Sequence, residues 1–237
     1  MLLVNAGRLN ILECLRPGMV AAEIGVAEGD FSDYLLNDMK PSKLHLIDPW
    51  RFQDVADYEM DANNTTDAEG DRRYADVQKK FSGVIDAGVV EIHRALSIEI
   101  ADTFPDEYFD FVYVDAIHTY EGCLADLHAF DKKVKRNGFI AGHDYQTNPN
   151  AKAHHNGVVQ AVHDFVKQTG YAFIALTFEE APSFVIAKNP DSAAALQFIS
   201  ELTKRFMIMA HIPNAEDKIF EQVELPSSPQ RYVFSFG

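Results

Sequence analysis

Glu23, Asp48, Asp115, His118, His143 and Asp144 are the side chains of this 237-residue chain whose types and spacing could do chemistry together. Each lies at or just past the end of a short apolar run that reads as a strand: Val20–Val26, Lys43–Pro49, Phe109–Asp115 and Phe139–Gly142. A further run, Val89–Arg94, ends in Ala95-Leu96-Ser97. In an open α/β sheet, ligands bind outside the carboxyl ends of the strands. One acid at a strand end is usually a helix cap. Acids at four of five ends, on one rim, mark a site. His118 follows Asp115 by three positions, just beyond its strand, so both can face one pocket. An imidazole with an ordinary pKa near neutrality is then a candidate base for a hydroxyl proton.

The first strand runs into Glu23-Ile-Gly25-Val-Ala-Glu28-Gly29, and a helix is expected to open near Glu28. Glycines here allow positive φ and let a ligand lie against bare backbone. The turn lacks the G-x-G-x-x-G pattern and carries no Lys after the glycines, so a pyrophosphate is disfavoured. Its carboxylates would repel phosphate and accept hydrogen bonds from an ammonium group. That pattern suits a nucleoside joined to a cationic amino acid. Asp48 follows roughly 20 residues on, the offset at which a carboxylate accepts ribose hydroxyls.

These residues need a scaffold that brings strand ends together. Apolar periodicity predicts helices over Met1–Leu15, after the glycine turn to Lys40, and over Arg73–Val84, Tyr120–Val134, Gly157–Gln168 and Ala193–Met209. Tyr171–Phe178 and Ser183–Ala187 read as a closing antiparallel hairpin. Strands alternating with helices imply a doubly wound, Rossmann-like α/β fold: a mostly parallel, seven-stranded sheet ending in that hairpin. A single domain is expected, with an N-terminal helix (1–19), a ligand-binding core (20–188), and a C-terminal helix and tail (189–237). Trp50–Arg73 is strongly acidic and reads either as a solvated loop or as a lid over the crevice. The unassigned tail from Ile212 is compatible with an arm in a homodimer.

The net charge of −15 argues against a nucleic-acid partner, which needs a basic face. The dense basic run, Lys132-Lys133-Val134-Lys135-Arg136, falls at an expected helix end, where cations complement the dipole. Two cysteines without metal spacing fit a reducing compartment, and no apolar run reaches membrane-spanning length. A cytoplasmic protein without a membrane partner is expected.

The motifs resemble those of class I S-adenosylmethionine-dependent methyltransferases: Glu23–Gly29 is similar to their first motif and Leu46-Ile-Asp48 to their second. Three ordered segments, Val114–Gly122, Gly138–Tyr145 and Gly157–Phe165, more narrowly resemble small-molecule O-methyltransferases that include macrocin O-methyltransferase-like enzymes. Members of that group often act on sugars or glycosylated products, and several use Mg²⁺. The resemblance implies methyl transfer from S-adenosylmethionine to a hydroxylated small molecule. It places Glu23, Gly25 and Gly29 around the methionine part of the cofactor, Asp48 on the ribose, Leu96 and Ser97 at the adenine, and Asp115 beside them. His118, Asp115 and His143 become the candidate catalytic group, and Asp115, Asp144 and His143 the candidate ligands of Mg²⁺ or another divalent metal. The sequence departs from the pattern at Ala95, where an acid is common, and at His143, where a second carboxylate often stands. Imidazole is a poor Mg²⁺ ligand. Two other classes share the sheet: a binding protein that keeps the fold without catalysis, and a nicotinamide-dependent oxidoreductase.

Overall fold

Phe109–Val114 is buried at every position, the signature of a strand covered on both faces, and it lies in the interior of the sheet. A computed structural model describes residues 1–55, 58, 61, 63–226 and 231–237. In chain order its elements begin β1 (Leu2–Val4), α1 (Arg8–Leu12), β2 (Val20–Ile24), α2 (Asp30–Tyr34), β3 (Lys43–Asp48), α3 (Asp67–Lys80), α4 (Ser82–Asp86) and β4 (Val90–Arg94). There follow α5 (Ser97–Ile100), β5 (Phe109–Val114), α6 (Tyr120–Asp131), β6 (Val134–Gly142), α7 (Pro149–Ala153) and α8 (Val158–Thr169). The remainder is β7 (Ala172–Thr177), β8 (Phe184–Ala187), α9 (Ala193–Arg205), β9 (Ile208–His211), β10 (Phe220–Leu225) and β11 (Arg231–Phe236).

The main sheet has nine strands in the order β4-β3-β2-β5-β6-β8-β7-β1-β9. The strands from β4 to β6 pair in parallel, and β8 runs antiparallel between β6 and β7. Successive residues of one strand feed opposite cores, as the period of two requires. Ala21, Phe111 and Tyr113 pack on one face with Leu35 and Phe198, while Ala22, Val112 and Val114 pack on the other with Leu127 and Phe165. The doubly wound α/β architecture and the antiparallel closing strand are those expected.

The sheet is nonetheless wider than seven strands. Residues 2–4, expected as helix, form β1, parallel to β7 and antiparallel to β9. Leu3 and Val4 are buried there, so burial between two strands overrides the leucine spacing. The helix expected to reach Met209 stops at Arg205, and residues 208–211 form β9. The tail folds back as the β10–β11 hairpin, with Phe220 and Phe234 against Tyr145 and Phe178. The helix expected from Arg73 starts at Asp67, where the Thr66 hydroxyl caps it. The basic run does begin at a helix end, since Lys132 is the C-cap of α6, while Lys133 and Lys135 pair with Asp106 and Asp110. Asp57 and Glu59 of the acidic segment lie outside the described residues. Among the described residues, no helix is long and apolar enough to cross a membrane.

Candidate functional site

Three backbone hydrogen bonds carry the ladder past the strand ends and bring the predicted residues level. Gly25 N–H donates to Ile47 O (3.0 Å), Asp115 N–H to Ile24 O (2.8 Å) and His143 N–H to Val114 O (3.2 Å). The ends of β3, β2, β5 and β6 therefore form one rim. A cleft opens along it, lined by Gly25, Asp48, Leu96, Ser97, Asp115 and Ile117 among others. A second, more polar cavity adjoins it, with His118, Asp144, Gln146, Asn150, His154 and Asn156 in its wall. Tyr58 and Asn63 border both. Described residues of the Trp50–Arg73 segment, Tyr58 and Asn63 among them, thus supply walls to the site.

The glycine turn is shaped from below by Asp48. Its Oδ2 accepts the N–H groups of Val26 (2.9 Å) and Ala27 (3.0 Å), and its Oδ1 that of Trp50 (2.7 Å). Burial pushes this carboxyl up, against those three N–H groups and Arg73, which pull it down. One lone pair on Oδ1 remains for a ligand hydroxyl. Trp50 is buried and its indole N–H donates to Ala27 O (2.8 Å), so it braces the turn while lining the cleft. Gly25 has φ +88, and a Cβ there would stand 2.1 Å from Asp115 O. The backbone of β5 fills the place of a side chain.

The turn's acids do not face the cleft. Glu23 is 1% exposed and accepts the Ser32 hydroxyl at 2.5 Å; burial holds its carboxyl well above the ordinary range. Glu28 turns outward to Arg73 (3.6 Å). Gly29, at φ +72, precedes the short α2 and packs on Phe81. Of the residues expected around the amino-acid end of a ligand, the structure brings Gly25 and Asp115 to the cleft and leaves Glu23 and Gly29 behind it.

His118, Asp115, Asp144 and His143 do meet. His118 Nε2 lies 3.1 Å from Asp144 Oδ2 and 3.5 Å from Asp115 Oδ1, and its Nδ1 lies 3.6 Å from Asp61 Oδ2. His143 Nδ1 lies 3.2 Å from Asp144 Oδ2 but 3.9 Å from Asp115 Oδ1. Arg8 Nη1 donates to Asp115 Oδ2 (3.2 Å), and Gln146 Nε2 to Asp144 Oδ1 (2.8 Å). Asp144 itself has φ +53, a conformation held by Asn156, whose amide donates to its carbonyl oxygen. Burial opposes charge on His118, yet its carboxylates prevail and hold it well above an ordinary histidine. The same balance raises His143 and lowers Asp144. His118 is therefore not poised near neutrality as the sequence suggested. Its place among three carboxylates favours the protonated ring.

Its Nε2 is fully buried and, despite the nearby oxygens, makes no aligned hydrogen bond. That orphaned atom points between two carboxylates. One ligand atom each from Asp115, His118 and Asp144 lie within 4.8 Å of one another, a set that fits a divalent cation. His143, which the resemblance placed among the candidate ligands, stands outside this set.

Arg8, Asp61, Tyr58 and Asp126 were not foreseen. Asp126 enters the cleft from α6, fully enclosed, and accepts the hydroxyl of Ser97. Burial pushes its carboxyl up to about 7. In the unfolded chain it ionises near 4, so folding takes up a proton between about pH 4 and 7. Its contribution to stability is full below that window and lost as pH rises through it. Asp126→Asn should therefore melt close to the wild type at pH 5 and several degrees higher at pH 8. Scanning calorimetry at both pH values checks this, and a pH-independent difference would contradict the assignment.

Strand order, glycine cradle and acidic rim define an α/β methyltransferase-like fold. A family model described as a methyltransferase domain matches residues 22–145, more than half of the chain. The protein belongs to this methyltransferase-domain family, and its fold is that of class I S-adenosylmethionine-dependent methyltransferases. Solved structures agree at the level of the fold. An S-adenosylmethionine-dependent methyltransferase from Aquifex aeolicus superposes with TM-score 0.51 at 16% identity, over 73% of this chain and 83% of that one. Fibrillarin from Aeropyrum pernix, with natively bound S-adenosyl-L-methionine, gives 0.51 at 8% identity, over 73% and 67%. A spermidine synthase bound to the transition-state analogue AdoDATO gives 0.50 at 14%, over 89% and 66%. No curated protein matches the sequence. Membership of the family sets aside the nicotinamide oxidoreductase.

Proposed function

We propose that this protein transfers the methyl group of S-adenosylmethionine to a hydroxyl of a small, polyhydroxylated acceptor. The observation that supports this most is the pairing of cavities: an apolar-walled cleft beside the glycine turn, and a polar pocket rich in amide side chains, meeting at Tyr58 and Asn63. Gln146, Asn150 and Asn156 offer donors and acceptors suited to several hydroxyls at once. The cleft fits the cofactor: Gly25 leaves bare backbone, Asp48 retains a lone pair, and Leu96, Ile98 and Ile117 give an apolar slot. When bound, the cofactor supplies an electrophilic sulfonium methyl.

This chain's residues would hold the acceptor oxygen in line with that methyl, the main source of acceleration in such a transfer. Asp144 is kept ionised by His143 and His118, so it can accept the hydroxyl proton or orient the hydroxyl through it. His118, already protonated, balances the charge of Asp61, Asp115 and Asp144. If a divalent cation displaces the Nε2 proton of His118, then Asp115, His118 and Asp144 would hold it, and it would supply Lewis acidity at the acceptor oxygen. An imidazole in the set favours Mn²⁺, Co²⁺ or Zn²⁺ over Mg²⁺. His143 then acts by fixing Asp144.

Transfer of labelled methyl groups to a panel of sugars and glycosides is the direct test. Asp144→Asn should lower kcat about a hundredfold while S-adenosylmethionine affinity stays within about threefold. Tight cofactor binding with no acceptor methylated would favour a non-catalytic binding protein. Absence of cofactor binding by the wild type would overturn the reading.

A further inference from the structure

A second constellation lies at the edge of the main sheet and takes no part in the site described above. His45 on β3 is the register partner of Glu91 on the edge strand β4, and His93 follows two residues along. The period of two puts all three on one face. His45 Nδ1 lies 2.9 Å from His93 Nε2, and His93 Nε2 lies 3.8 Å from Glu91 Oε1. One ligand atom from each residue lies within 4.8 Å of the others. None of the three lines either cavity.

The surroundings favour neutral, oriented imidazoles. His45 Nε2 lies 3.1 Å from the Tyr108 hydroxyl; donating its proton there leaves a lone pair on Nδ1. Outer hydrogen bonds of this kind commonly fix the tautomer of a metal-bound histidine. Phe104 and Phe109 press their edges on the His45 ring at 5.1 and 5.6 Å. Burial, with the neighbouring His93, brings His45 down to about 4, and burial also lowers His93. The facing nitrogens, 2.9 Å apart, must share either one proton or one ion. Glu91 is half exposed, with Lys43 on its other oxygen at 2.9 Å, so the site opens to solvent on that side.

The donor set and the short nitrogen separation point to the kind of ion. Two nitrogens 2.9 Å apart, each about 2.1 Å from a metal, subtend roughly a right angle there. A right angle suits tetragonal or octahedral coordination and is too narrow for tetrahedral zinc. Nitrogen and oxygen ligands in that geometry mark Cu²⁺ or Ni²⁺. We infer that His45, His93 and Glu91 form a transition-metal site of this kind, binding Cu²⁺ or Ni²⁺ across β3 and β4, with Tyr108 as its orienting residue. Bound there, the ion ties the edge strand to its neighbour.

The test uses the full chain carrying Asp144→Asn, which disables the acidic centre, titrated with Cu²⁺ and with Ni²⁺. One equivalent of Cu²⁺ should bind with an electron paramagnetic resonance spectrum showing coupling to two imidazole nitrogens. His93→Gln should weaken binding about a hundredfold and remove that coupling, and Tyr108→Phe should weaken it about tenfold. Glu91→Gln, on an exposed residue, should also weaken binding. His211→Ala, on an exposed histidine of β9 that lines neither cavity, should change nothing. Lack of a one-to-one complex, or affinity unchanged by both His93→Gln and Glu91→Gln, would overturn the site.

Discussion

Gly25→Ala should lose at least about a hundredfold in affinity for S-adenosylmethionine, close to 3 kcal/mol. The new methyl group would lie 2.1 Å from Asp115 O, 2.5 Å from Asp115 C and 2.8 Å from Ala116 Cα. All are backbone atoms, so no rotamer relieves the clash. β2 and β5 would have to part at the point where the cleft begins. Gly18→Ala separates this effect from backbone strain, because Gly18 has φ +79 and nothing within 4 Å of the added Cβ. It should cost about 1–2 kcal/mol of stability and leave affinity alone. Calorimetric titration of both variants gives the answer, and equal affinities would mean that Gly25 does not shape a cofactor cradle.

His118→Gln should destabilise the fold by roughly 3 kcal/mol at pH 6 and by clearly less at pH 9. Removing one partner of a buried charge cluster leaves the others uncompensated. Here three carboxylates would lose their central cation. The sign follows from linkage: the folded pKa lies above the unfolded value near 6.5. Stability from the imidazolium is therefore complete below about 6.5 and lost as pH rises through the folded value. Urea unfolding of both proteins at the two pH values measures it, and ring proton shifts report the titration directly. A His118 ring titrating near 6.5, or equal destabilisation at both pH values, would rule out the charged cluster.

The parts legible in the sequence are those where a local rule and the global fold agree. Phe109–Val114 is apolar on both faces because it is buried on both. The rim was legible because residue types at strand ends report on a crevice that every such sheet shares. Longer-range contacts left no local trace. Leu2-Leu3-Val4 fits a helix by spacing and becomes a strand through partners at residues 175–177 and 208–211. Arg8 reaches Asp115 because of that strand, and nothing in its own neighbourhood predicts the contact. Glu23 and His143 were placed by resemblance. The structure sends Glu23 to Ser32, since an extended strand alternates its side chains and this one faces α2. Asp126 lay within a helix as one polar residue among apolar ones, and only the packing of α6 against the cleft gives it meaning.

The strand order also carries a timetable for synthesis. Among the described strands β1 is made before its partners, β7 and β9, which lie more than 160 residues further along. The cradle formed by β2, β3 and β5 can assemble once residues 20–114 are free. Arg8 follows β1 by four residues, so its contact with Asp115 is expected to await the docking of β1. A cleft would then exist before its charge cluster is balanced, and Asp115 would wait without its arginine. Contacts of such sequence separation are slow to form. The last step of maturation would thus be the closing of the acidic centre, after the groove beside it has taken shape.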